Sequence, residues 1–146
     1  MEYGTIERDI HVDAPPPVVF EVVSRPEHMR EWWPDEASFE PLPGAPGEIA
    51  WVDDAGERKA VDIAIVDVDP PKRFSFRWCI AGADSLLVTF DLTPAGDGTL
   101  VRMTETGFRE MGWEIAVLEE TYNDHANGWD HFIPLLGKYV ARVASP

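Results

Sequence analysis

The sequence predicts an α+β domain: a curved antiparallel sheet of about six or seven strands wrapped around one long C-terminal α-helix, with two short helices after the first strand. Two observations carry this. Apolar side chains recur with a period of two through most of the chain between Ile49 and Thr106, and from about residue 114 the period changes to 3.6. A third is that the thirteen prolines fall mostly between these periodic segments, where a missing N–H does least harm.

The first strand spans residues 5–12, with Ile6, Arg8, Ile10 and Val12 on one face and Glu7, Asp9 and His11 on the other. Asp13 is placed to cap a helix, and the prolines at 15–17 suit a helix start, where the first N–H groups have no partner anyway. Val18, Val19, Phe20, Val22 and Val23 make that helix short and apolar, ending near Ser24. Pro26 starts a second helical turn through Met29 and Arg30, ended by Trp32-Trp33-Pro34. Ile49 to Val52 is the next strand, Asp53-Asp54-Ala55-Gly56 a hairpin loop, and Arg58 to Val68 a longer strand. Its apolar phase moves from Val61, Ile63 and Ile65 to Val66 and Val68, which predicts a β-bulge. After the Pro70-Pro71 turn, Phe74, Phe76, Trp78 and Ile80 alternate with Arg73, Ser75, Arg77 and Cys79. Gly82 marks a turn, and Leu86, Val88, Phe90 and Leu92 share a face. Gly96-Asp97-Gly98 contains the Asp-Gly hairpin signal before a last strand at about 99–106, where Val101 and Met103 oppose Arg102 and Thr104.

On the final helix Ile115, Leu118, Tyr122, Ala126, Trp129, Ile133, Leu136 and Val140 form one stripe, while Glu119, Glu120, Asp124 and Asp130 fall off it. Pro134 lies inside the helix and should kink it or remove a hydrogen bond. Only this helix is large enough to cover the sheet. A curved sheet that grips one helix leaves a cavity between them.

At 146 residues the chain fits a single domain, 1–146, with a full core. Twelve basic against 27 acidic residues give a formal charge of −15, which repels nucleic acid and anionic membranes. The chain is therefore expected to have neither as a partner. The lone Cys79 permits no internal disulfide and fits a reducing compartment. Met1-Glu2-Tyr3-Gly4 lacks the features of a signal peptide, and no apolar run approaches a membrane span, so a cytoplasmic location is expected.

Val12-Asp13-Ala14-Pro15, Val19-Phe20, Ser24-Arg25-Pro26-Glu27 and Trp32-Trp33-Pro34 form an ordered set with later segments. These are Pro46-Gly47, Val68-Asp69-Pro70-Pro71-Lys72-Arg73, Val88-Thr89-Phe90-Asp91-Leu92, Gly98-Thr99, Thr104-Glu105-Thr106-Gly107-Phe108, Gly128-Trp129-Asp130 and Leu135-Leu136. Together they resemble the SRPBCC (START/birch-pollen-allergen-like) superfamily. More narrowly, they resemble the bacterial homologues of the activator of the heat-shock-protein-ninety ATPase. The resemblance covers nearly the whole chain and implies the helix-grip fold. It brings no shared catalytic motif. Superfamily relatives bind lipids, hormones or polyketides, some are cyclases or hydrolases, and the eukaryotic namesake is a co-chaperone module. The chain departs from the pattern at Glu48, where a second glycine is common after Pro46-Gly47, and at Pro134.

Candidate sites follow from the aromatics. Six tryptophans, seven phenylalanines and three tyrosines are many for this length; each packs readily in a core, but a curved sheet and one helix should not fill completely, so some should line a pocket. Trp51, Phe76, Trp78, Phe90 and Trp129 fall on inward faces, with Met103 and Tyr122 on the inward faces of their own elements. Trp33 and Trp113 sit in loops, where they cap the cavity mouth, meet a protein partner or pack against the domain. Glu105 shares its face with Val101 and Met103. A buried charge must be paired or reach the rim, and an Arg8–Glu105 pair would serve if the first and last strands are neighbours. Without a partner, a buried Glu105 would have a raised pKa and could act as an acid or base, with Tyr122 or His125 facing it from the helix. The histidines lack the i, i+4 spacing of a zinc motif, and there is no nucleophile elbow or phosphate loop. Neither metal nor cofactor is expected.

The leading expectation is non-catalytic binding of a small hydrophobic or aromatic molecule in the cavity by Trp33, Trp51, Phe76, Trp78, Phe90, Met103, Glu105, Trp113, Tyr122 and Trp129. The alternatives are a protein-interaction module that modulates a chaperone ATPase, for which the acidic surface would be the working part, and a cyclase or hydrolase acting in the cavity.

Overall fold

A computed structural model describes residues 3–80 and 83–144. The expected turn at Gly82 and the inward side chain of Ile80 lie outside the described residues. Strand β1 (Thr5–Val12) leads into helices α1 (Pro16–Ser24) and α2 (Pro26–Met29). Strands β2 (Glu36–Phe39), β3 (Pro46–Val52), β4 (Arg58–Asp69), β5 (Arg73–Ile80), β6 (Ala83–Ala95) and β7 (Gly98–Thr106) follow. A 3₁₀ turn at Arg109–Met111 precedes the long helix α3 (Ile115–Ala144).

The strands form one antiparallel sheet in the order β1-β7-β6-β5-β4-β3-β2. First and last strands are neighbours, and α1 and α2 carry the chain from one sheet edge to the other. The fold is the predicted helix grip, with α3 packed over β1 and against α1. Phe74, Phe76, Leu86, Val88, Phe90, Val101 and Met103 supply the sheet side of the core, and Trp129, Ile133, Leu136 and Val140 the helix side. Alternation and the helical stripe thus place the same apolar residues inward that they single out in the sequence.

Several local expectations change. Asp13 does not cap α1: Pro15 occupies that position, and no side chain bonds the helix start. Pro16 and Pro17 have no N–H to offer, and the Pro15 carbonyl takes the first two that exist, from Val18 and Val19 at 3.0 and 3.2 Å. Little is left for a capping carboxylate to satisfy. Strand β3 starts at Pro46, three residues before Ile49, because it pairs along its length with β4 and with β2. Strand β2 itself is too short, at four residues, to show a period. The predicted bulge is present: the β4–β5 register shifts between Ile65 and Asp67, and the Ser75 hydroxyl accepts the displaced Asp67 N–H at 3.1 Å.

In the last hairpin Ala95 pairs with Gly98, so the two-residue loop is Gly96-Asp97, with Gly96 at φ 62°. Gly98 is a strand residue, and a Cβ there would lie 2.2 Å from the Val12 carbonyl oxygen. Ile115 does not join the helical stripe: it is 66% exposed, one turn short of Leu118, where packing begins. Helix α3 continues through Pro134, which is exposed, so water can serve the Asp130 carbonyl that its missing N–H leaves unpaired. Of the readings open for Trp32 and Trp33, packing against the domain holds: both are buried, and the Trp32 indole donates to the Val22 carbonyl at 3.2 Å.

Candidate functional site

Between the concave face of β3–β5 and the first half of α3 lies a partly open cleft of about 330 Å³. Trp33, Trp51, Val61 and Trp78 line it from the α2–β2 connection and from β3, β4 and β5. Asp124, His125, Gly128, Trp129 and Phe132 line it from α3. On the helix, steps of three and four put His125, Trp129 and Phe132 on one face. Trp33 is the hub: its ring centroid lies 4.9 Å from Trp129, 5.7 Å from Trp78 and 5.8 Å from Trp51. Trp51 and Trp78 lie nearly parallel, 6.1 Å apart.

Behind this aromatic wall sits one fully buried charge. Glu105 projects from β7 with no exposed surface. Its Oε1 accepts from Trp129 Nε1 at 2.9 Å, and both oxygens lie 3.0 Å from His125 Nδ1. A carboxylate only accepts, so Nδ1 carries a proton. The His125 ring is further enclosed by Trp78 and Phe108, each with its centroid 5.7 Å away. Burial is the largest single influence on this imidazole and lowers its pKa. The hydrogen bond with Glu105 and the charges of Glu105 and Asp124 together outweigh it, so His125 is raised from its ordinary 6.5.

Glu105 does not pair with Arg8. Arg8 faces Met103 across the β1–β7 ladder and reaches Asp130 on α3 at 2.7 Å, where both partners are partly exposed. The long guanidinium stem snorkels to the rim, leaving the buried carboxylate to the helix. Glu105 is therefore buried but partnered, and the condition for its acting as a lone acid or base is not met. Of the two helix residues expected opposite it, His125 is there. Tyr122 donates instead to the Thr5 carbonyl at 2.8 Å and packs on Phe108 and Tyr3.

Of the predicted site residues, Trp33, Trp51, Trp78 and Trp129 come together around the cleft. Phe76, Phe90 and Met103 are fully buried beneath it, and Glu105 stands behind His125 and Trp129. Trp113 and Tyr122 pack against the core away from the cleft. Val61, Asp124, Gly128 and Phe132 border it without having been expected to. Helical spacing from Trp129 identifies Phe132, whereas Val61 depends on how far the sheet curls. Among the described residues no group of three His, Cys, Asp or Glu side chains is placed to hold a metal ion, and no helix is long and apolar enough to cross a membrane.

A family model described as Activator of Hsp90 ATPase homolog 1-like protein matches residues 13–141. A crystal structure of a Mesorhizobium loti protein is similar, with 26% identity and a TM-score of 0.78 over 94% of this chain and 97% of that one. A Nitrosomonas europaea protein aligns with a TM-score of 0.79 at 13% identity, over 97% of each chain. The solution structure of the Aha1 dimer from Colwellia psychrerythraea aligns with a TM-score of 0.73 at 16% identity, over 93% of this chain and 95% of that one. These last two show a common fold. No curated protein sequence matches the chain.

Proposed function

The chain belongs to the Activator of Hsp90 ATPase homolog 1-like family, and on that premise we propose that it binds a small hydrophobic or aromatic molecule in the tryptophan-lined cleft without transforming it. One observation carries the reading. Four tryptophans, from β3, β5, α3 and the α2–β2 connection, converge on a cleft of about 330 Å³ and leave it partly open. Ligand pockets begin at about 300 Å³, so the cleft suits a compound of about two fused rings. Trp51, half-buried at its mouth, leaves apolar surface that a planar ligand would remove from water. The test is a library of fused-ring compounds followed by quenching of tryptophan emission and by native mass spectrometry. Saturable quenching with one ligand bound per chain is expected. No saturable binding by any of them overturns the reading.

The family supports a second reading, a docking module for a chaperone ATPase. Here the acidic surface would meet a basic patch, so binding should weaken steeply with salt. A pull-down of the host chaperone at low salt that recovers nothing would remove it.

A further inference from the structure

The cleft wall carries two titratable side chains, Asp124 at its rim and His125 on its helical wall, among tryptophans, Val61, Gly128 and Phe132. Asp124 is exposed to water, whereas His125 retains 21% of its side-chain surface. The Nδ1 edge of the His125 ring is committed to Glu105, a carboxylate with no exposed surface that Trp129 also holds. A ring fixed by one nitrogen has its orientation and tautomer set, which is how buried carboxylates aim histidines toward a third party. The edge left for the cleft carries Nε2. The indole N–H of Trp129 and the Nδ1–H of His125 are both given to the carboxylate. Nε2 is the one hydrogen-bonding atom of this network still available to a molecule seated among the tryptophans.

We propose that His125, positioned by Glu105, is a hydrogen-bond donor that makes the cleft prefer aromatic molecules bearing a carbonyl oxygen over hydrocarbons of the same shape. The inference rests on the reading of the cleft as a ligand site and adds the chemistry of its ligand. Protonated at both nitrogens, His125, its ring set beside Trp78 and Phe108, gives Nε2–H to the oxygen in a charge-assisted bond. Deprotonated, it keeps its proton on Nδ1 beside Glu105, and Nε2 turns a lone pair toward the carbonyl. The charged groups facing the ring are Glu105 from β7 and Asp124 from α3, both negative and both favouring the donor form. Trp78 from β5 and Phe108 after β7 add aromatic rings.

The experiment compares acetylnaphthalene with ethylnaphthalene, matched in shape, by quenching of tryptophan emission. At about pH 6, below the ordinary imidazole value, the ketone should bind about tenfold more tightly. The gap should close as pH rises through the His125 titration, with the hydrocarbon unaffected. In His125→Gln, whose amide can still donate to Glu105, the gap should vanish while ethylnaphthalene binds as before. In Glu105→Gln the gap should close at lower pH, an outcome that a merely structural role would not produce. The unaltered protein's pH profile stands even if both variants misfold. Equal binding of the two compounds at every pH, or a gap indifferent to pH, overturns the anchor and leaves the ligand site standing. Binding of neither overturns both.

Discussion

The two halves of α3 meet the sheet in opposite ways, although one apolar stripe runs through both. In the second half, Leu136 and Val140 are fully buried, and a Cβ added to Gly137 would come within 2.7 Å of Ile10 Cδ1. Helix and β1 are in side-chain contact here, and the atom in the way is the movable end of Ile10. In the first half, a Cβ added to Gly128 would meet nothing within 4 Å, because that residue borders the cleft. The two glycines teach opposite lessons. Gly137 sits where side chains of β1, Ile10 foremost, already fill the space against the helix. Gly128 is small beside a space that the protein leaves unfilled, next to Trp129, whose contacts with Trp33 and Phe90 prop the helix off the sheet.

Leu136→Ala and Trp51→Ala should separate the halves most clearly. The first removes a fully buried side chain from the closed half and should cost about 2–5 kcal/mol in urea unfolding. The second trims a half-buried wall of the cleft and should cost only roughly 1–2 kcal/mol while weakening aromatic ligands about tenfold or more. Equal losses of stability would break the contrast. Next come the glycines. Gly137→Val should lose about 1–3 kcal/mol because its branched methyls overpack Ile10 and Val12, whereas Gly128→Ala should gain about 0.5–1 kcal/mol from helix propensity alone. A loss at Gly128 would mean that the cleft is closed in solution.

The smallest effect is a pH slope confined to the open half. His125 has a folded pKa above its unfolded value, so the stability it adds is complete below about pH 6.5 and is lost as pH rises through the folded value. Unfolding free energies of the protein and of His125→Gln should therefore draw together as pH rises across that window. Parallel curves would show that Glu105 does not hold an imidazolium.

Much of this molecule is legible in the chain because it depends on local periodicity. The alternation of Phe74, Phe76 and Trp78, the phase shift that marks the bulge, and the change of period near residue 114 each report which side of an element is dry. Residues 36–39 were not legible, since a four-residue edge strand has no period to read. Nor was the failure of Asp13 as a cap, which follows from the two prolines that remove the donors a cap would serve. In the site, the inward aromatics were legible as a set, but not their division into cleft wall and core. Trp33 and Phe76 are both buried, yet only Trp33 borders the open space.

By itself, then, the sequence determined the fold, the apolar face of each element long enough to show a period, and the presence of a charge, Glu105, on an inner face. Tertiary structure alone decided that this charge meets His125 and Trp129 rather than Arg8, and which aromatic rings enclose a void. The physical reason is range. Periodicity is a property of neighbours along one element. Pairing partners and empty volume depend on the curl of the sheet and the distance at which the helix crosses it, and those are fixed only when every side chain packs at once.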